Sequence, residues 1–219
     1  MKFLMLSIFM GIQALGFGQA SEVYQVSSTA TMNGQVVELD GVYINSNNDS
    51  IQFSKVKYYL SRIELQHDRD VLFTENQSYH LIDFEKPETQ NWELHIPENR
   101  QSVQISFQLG IDSLTNVSGA MGGDLDPTLG MYWTWQSGYI NVKLEGKINN
   151  QEFSYHLGGY SGDQNAVQRV LSAEIGARIS IELELSALFS SEIYDSVMSP
   201  GIQAVSMSKI IVESIRIHE

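Results

Sequence analysis

The feature that most limits this chain is its hydrophobic rhythm: short runs in which apolar residues recur at every second position, each ended by turn formers. Val103, Ile105, Phe107 and Leu109 alternate without a break, as do Val56, Tyr58 and Leu60 within Lys55 to Gln66. A period of two belongs to a half-buried strand, because successive side chains point to opposite faces. In the second run the apolar phase slips to Ile63 and Leu65, which predicts a bulge. Met32-Asn33-Gly34-Gln35 reads as a hairpin turn within Ser21 to Glu38, since Asn-Gly supplies the backbone of a two-residue loop. Further strands are read at Val42 to Ile44, Ile51 to Phe53, Tyr79 to Phe84, Trp92 to Ile96, Tyr139 to Glu145, Glu152 to Gly158 and Ile179 to Leu185, and Lys209 to Ile217 closes the chain. Only Ser161 to Leu171 and Ala187 to Asp195 suggest helix. The expectation is an all-β fold: a single antiparallel β-sandwich with long loops and at most one or two short helices.

Residues 1–20 read as a signal peptide. Lys2 gives the positive start, Phe3 to Phe17 the apolar run, and Gly18-Gln19-Ala20 the small residues before cleavage. That run is too short to anchor the chain in a membrane, so residues 21–219 are expected to be one exported domain, periplasmic or secreted. The absence of cysteine removes disulfides, thiolate metal sites, cysteine nucleophiles and a lipidated N-terminal cysteine. Acids number 26 against 13 Lys plus Arg, a net charge of −13, and loss of Lys2 with the leader makes it one more negative. Nucleic acid and anionic membranes need a basic footprint and are disfavoured as partners. Nucleophile-elbow, zincin, P-loop and dinucleotide-binding patterns are absent, and the chain is read as non-enzymatic.

Three groups of residues carry chemistry. Gly110 to Gly130 is a long polar loop in which Asp112, Asp124 and Asp126 are candidate calcium ligands, without EF-hand spacing. A two-residue turn at Asn149-Asn150 pairs Lys147 with Glu152, and the same register sets Leu144 opposite Tyr155, Lys143 opposite His156 and Val142 opposite Leu157. His156 then lies on the outer face with Asn141 and Tyr139, and an unbroken strand would carry Trp133 and Trp135 onto that face, although Gly138 marks a bend. A neutral imidazole beside indoles suits copper or zinc, whereas a lone histidine and paired tryptophans are equally a packed sheet. His80, alternating with Leu81, is a second candidate ligand. His67, His95 and His218 read as surface or terminal residues.

Gly130 to Tyr139, followed by Lys143-Leu144-Glu145-Gly146 and His156-Leu157-Gly158-Gly159, resembles the MbnP-like family of exported copper-binding proteins. Tyr58-Tyr59-Leu60-Ser61, Tyr79 to Phe84 and Phe107 to Asp112 are similar to further blocks of that family, in the same order over nearly the whole exported chain. The resemblance implies a β-sandwich that takes copper. It assigns His156 as a copper ligand and Trp133 or Trp135 as a tryptophan that an MbnH-like dihaem oxidase converts to kynurenine. Where such relatives carry Asn-His before the aromatic block, this chain has Asn116-Val117, and valine cannot ligate. His80, Met121, Met131 or Asp112 are the residues that would have to substitute. The competing expectation is an interaction or glycan-binding module of the same sandwich that has lost the metal site.

Overall fold

The computed structural model describes residues 21–67, 70–97, 103–134, 136–175, 178–190 and 196–218. The leader read at residues 1–20 and Trp135 therefore lie outside the described residues. In chain order come β1 (Ser21–Met32), β2 (Gln35–Val36), β3 (Val42–Ile44), the long β4 (Ser50–His67), β5 (Asp70–Thr74) and β6 (Tyr79–Asp83). Then follow β7 (Asn91–Pro97), β8 (Val103–Leu109), α1 (Ser113–Ser118), β9 (Tyr132–Thr134), β10 (Gly138–Ile148) and β11 (Gln151–Gly158). The chain continues through β12 (Gln168–Ile175), β13 (Arg178–Glu184), α2 (Ser186–Ser190), β14 (Ser196–Val197), α3 (Ile202–Glu213) and β15 (Ile215–His218).

These strands form two sheets, and the all-β expectation holds. The smaller runs β15-β13-β1-β2, with β7 also on β1; the larger runs β12-β8-β4-β10-β11-β14, with β3, β5 and β6 on β4 and β9 on β10. Pairing is mixed rather than purely antiparallel, because β1 runs parallel to β13 and β14 parallel to β11. The alternation along β1 places Tyr24, Val26, Ala30 and Met32 in the core between the sheets, against Val56, Tyr58, Leu60, Phe107 and Leu144 of the larger sheet.

β4 organises the larger sheet. Leu60 pairs with both Leu109 and His80, and Tyr58 with both Val142 and Ile82, so β8 and β10 share one edge and β6 lies along the other. Two bulges reset its faces. At the first, Lys55 pairs with Glu145 but Phe53 with Gly146, which leaves Ser54 extra. Gly146 is required there: a Cβ would lie 2.0 Å from the Gln52 carbonyl oxygen. The second is the predicted phase slip, between Ser61 and Glu64, where Arg62 adopts φ 52°. Every other described non-glycine residue with positive φ is Asn, Asp or Gln in a turn or bend. The left-handed region costs a side-chain-bearing residue about 1–2 kcal/mol. Hydrogen bonds from the Arg62 and Ile63 amides to Ser78 secure the bulge, but glycine would make the same bonds. The Arg62 side chain contributes a 3.4 Å contact to Glu64 while 62% exposed, a pair worth at most about 1 kcal/mol.

Helical content differs from expectation. Ser161 to Leu171 holds one 3-10 turn at Gly162–Gln164 and then the start of β12, not a helix. β12 carries a bulge between Leu171 and Glu174, which broke the alternation that would have revealed it. Residues 209–213, read as strand, belong to α3: buried Ala204, Met207, Ser208 and Ile211 recur at helical spacing behind Gly201. α2 covers the beginning of the helix read at Ala187 to Asp195, and residues 191–195 lie outside the described residues.

Glu184 ties the first hairpin to α2. Its carboxylate accepts the amides of Asn33 (3.1 Å), Gly34 (2.9 Å) and Ser186 (2.9 Å) and the Thr31 hydroxyl (3.1 Å). Burial pushes this carboxyl up, but the bonds from Ser186, Gly34 and Thr31 outweigh it and hold it at about 2, below its ordinary 4.5. A depressed carboxylate stabilises the fold above its unfolded pKa, and that contribution fades as pH falls. Thermal unfolding of the wild type should therefore show a stability loss between pH 4.5 and about 2 that Glu184→Gln lacks, and the variant should melt lower at pH 7.

Candidate functional site

The long loop after β8 is folded rather than open. α1 and two 3-10 turns (Gly123–Leu125 and Pro127–Leu129) lie across the outer face of the larger sheet and bury a second core of Tyr59, Leu81, Ile111, Leu125, Met131, Tyr139 and Ile140. Asn116 fastens this layer: its Nδ2 donates to the Ile111 (2.8 Å) and Asp112 (3.0 Å) carbonyls, and its Oδ1 accepts the Tyr139 amide (2.8 Å). Tyr139 Oη receives the Met121 amide (3.0 Å) and donates to the Leu125 carbonyl (3.0 Å).

His156 lies on the same outer face. The hairpin register is the one read from sequence: Lys147 pairs with Glu152, Leu144 with Tyr155, Lys143 with His156 and Val142 with Leu157. His156 is buried, and its Nε2 lies 2.7 Å from Glu145 Oε1. A carboxylate only accepts, so the proton sits on Nε2 and the Nδ1 lone pair remains; Nδ1 has no hydrogen-bond partner among the described residues. Burial, helped by the Lys143 and Lys55 ammoniums, lowers the imidazole pKa despite Glu145. For Glu145, burial raises the pKa, but the His156 hydrogen bond and the two lysines outweigh it and lower it overall. Lys143 Nζ stands 3.5 Å from Glu145 Oε1 and donates to the Gly130 carbonyl (3.1 Å), while Lys55 Nζ is 3.7 Å from Oε2.

Trp133 reaches this face by folding back, not by extension. β9 reverses into β10 at Gly138 (φ 72°), with Thr134 opposite Gly138 and Tyr132 opposite Tyr139. The six-membered edge of the Trp133 indole stands over Gly158, where an added Cβ would lie 2.5 Å from Cζ3. Gly158 and His156 share one face of β11, two residues or about 7 Å apart along the strand. The indole is partly buried against the second core rather than presented as a flat exposed platform.

The other candidates lie elsewhere. His80 pairs with Leu60, which faces the main core, whereas His156 pairs with Lys143 and through it with Lys57 on the outer face. The two histidines are thus on opposite faces of one sheet and are not brought together. His80 stacks on Trp92 at 4.5 Å and bonds Glu75 at 2.8 Å, joining β6 to β7. Met131 is fully buried in the second core, and Met121 is exposed. Each loop aspartate is spent on a different contact: Asp112 caps α1 through Thr115, Asp126 accepts from Thr128 in its own turn, and Asp124 accepts the Leu81 amide of β6 at 2.9 Å. Among the described residues, no three His, Asp or Glu side chains converge in a way that could hold a metal ion. His95 and His218 are exposed beside Glu93 and Glu182. Val117, where the resemblance expects a second histidine, is 73% exposed on α1. Two features that the sequence reading passed over are Glu145 and Gly158. Both could have been found from the hairpin register, since Glu145 lies two residues from the partner of His156 on one face.

No curated protein sequence matches the chain. A solved structure of MbnP from Methylosinus trichosporium has a similar fold, with TM-score 0.62 and 15% identity, covering 85% of this chain and 87% of that one. The MbnP family model matches residues 21–204. The chain, with its aromatic block folded onto the His156 strand, therefore belongs to the MbnP family.

Proposed function

We propose that this protein is an exported, non-enzymatic binding protein that takes copper as cargo, in copper capture or homeostasis, with His156 as its main ligand. The observation that carries the reading is the His156–Glu145 pair beside the Trp133 indole. A carboxylate on one ring nitrogen fixes the tautomer and raises the basicity of the other, the arrangement common around metal-bound histidine. Burial keeps the ring neutral, as a ligand must be. The residues fit attachment through one imidazole; Val117 supplies no second. Trp133 or Trp135 is the residue an MbnH-like dihaem oxidase would convert to kynurenine, and at Trp133 that would add a donor on the face that carries His156. Calcium is not part of this reading, because Asp112, Asp124 and Asp126 spend their carboxylates on separate backbone contacts.

A second reading, an interaction module without a metal, is favoured by α1 itself. Its Thr115 and Asn116 face inward while Leu114 and Val117 are exposed, an apolar surface suited to a protein partner. The partly buried Trp133 does not favour sugar stacking.

The exported domain loaded with Cu(I) or Cu(II) and desalted should retain metal, and His156→Ala should lose most of it. Glu145→Gln should weaken retention about 10–100-fold, the usual effect of removing such a supporting carboxylate. Equal retention by wild type and His156→Ala, or none by either, would favour the metal-free module. Gly158→Ala should displace the Trp133 ring, shifting its fluorescence to the red and costing about 1–3 kcal/mol, because the new Cβ also meets the Tyr139 carbonyl at 2.8 Å. Peptide mass of protein from its native host decides whether Trp133 or Trp135 is oxidised.

A further inference from the structure

The Arg62 bulge has no structural reason to carry an arginine. Its backbone bonds do not need a side chain, its conformation suits glycine, and its contact with Glu64 is long and exposed. Strained residues kept against a simpler alternative tend to serve function, and bulges re-aim side chains. Arg62 is aimed at a groove of about 370 Å³ between the β4 bulge, the end of β8, the start of α1 and the start of β12. Arg169 of β12 also lines this groove, with its side chain 59% exposed.

The two guanidiniums share one carboxylate. Arg62 Nε approaches Glu64 Oε1 at 3.4 Å, while Arg169 Nη2 approaches Oε2 at 3.3 Å and Ser106 Oγ at 3.2 Å. A guanidinium has five N–H donors, and the others of this pair have no partner among the described residues. The other acids nearby are engaged: Asp112 with Thr115, and Glu75 with His80 and Ser78. Glu64 and Asp112 balance the two guanidiniums in formal charge, so what the groove offers an anion is the set of guanidinium N–H donors left over, in a chain whose overall charge is −13. The remaining wall is polar at Gln108, Asn165, Asp112 and Ser113 and aliphatic at Leu114, 78% exposed, and Val167.

We propose that this groove binds a carboxylate borne on a short aliphatic body, the carboxylate bridging Arg62 and Arg169 and the hydrocarbon lying on Leu114 and Val167. Guanidinium forks bind carboxylates in two-point contacts, and the aliphatic wall of Leu114 and Val167 favours an anion that carries a hydrocarbon body over inorganic phosphate. The same chemistry is found in a free organic acid and in an acidic side chain of a partner protein. The site is separate from His156 and does not rest on the copper reading.

The test is a chemical-shift titration of the isotopically labelled exported domain with succinate, with a short end-blocked peptide bearing one glutamate side chain, and with inorganic phosphate. Succinate or the peptide should give saturable shifts at Arg62, Arg169 and Asn165, weakened roughly tenfold or more by Arg62→Gly and by Arg169→Ala. Binding of succinate alone identifies a free acid as the ligand type, and binding of the peptide alone a partner's side chain. Arg62→Gly should melt no lower than wild type, since glycine relieves the left-handed strain, so its loss of binding is not unfolding. The proposal is overturned if neither carboxylate binds, if phosphate binds as well as succinate, or if Arg62→Gly keeps wild-type affinity.

Discussion

The rest of the structure depends on β4 being saturated in every direction. Both its edges are paired, and both its faces are covered, one by the smaller sheet and one by the folded loop. Neighbouring tyrosines show how this is done. Tyr58 points inward and bonds Ser28 of β1 at 2.8 Å, while Tyr59 points outward and donates to the Asp124 carbonyl at 2.8 Å. Each phenol is buried, and a buried hydroxyl without a partner costs about 1–3 kcal/mol. Tyr58 therefore fixes the smaller sheet against the larger, and Tyr59 fixes the loop layer over it. Burial raises both phenol pKa values, so the two bonds persist as neutral contacts across the ordinary pH range.

This double coverage explains which parts of the fold were legible. Clean alternation was visible wherever one face is apolar and the other polar, as in β8 and the turn end of the β10–β11 hairpin, whose register followed from one cross-strand charge pair. The β4 phase slip was legible because a bulge must move apolar residues to the other face. What stayed hidden was long-range. Nothing local to β1 states that its neighbour is the parallel β13, since that pairing depends on the whole chain wrapping round the core. α3 was misread because Ile210 and Val212 alternate, as do Ile215 and Ile217 beyond it, while Ala204, Met207 and Ile211 follow the 3.6 period of the helix. The loop from Gly110 was read as a long polar loop, although its polar residues are the caps and clamps of a packed layer.

The candidate site divides along the same line. Local register placed His156 on the outer face with Lys143 as its partner, and the structure agrees. It could not place His80, whose face is set by pairing with Leu60 of β4, a register that no tight turn between the two strands fixes. Trp133 arrives beside His156 through a tight reversal at Gly138 and through Gly158, which leaves room for the ring. The position of the indole is thus a property of the fold. Its juxtaposition with His156 persists whether or not Val117 is replaced by a ligand, so kinship and metal binding are separable in this chain.

Electrostatics then decides how strongly such a site can hold a cation. Glu145 is shared among His156, Lys143 and Lys55, so its single negative charge is already opposed by two positive ones. A metal ion at His156 would add to a local surplus rather than fill a deficit. Coulomb repulsion from the ammoniums doubles on going from a monovalent to a divalent ion at the same place. The overall charge of −13 offsets little of this, because charges beyond about 8–10 Å are screened at physiological salt. Within the copper reading, the lysines therefore weight the site toward Cu(I) over Cu(II).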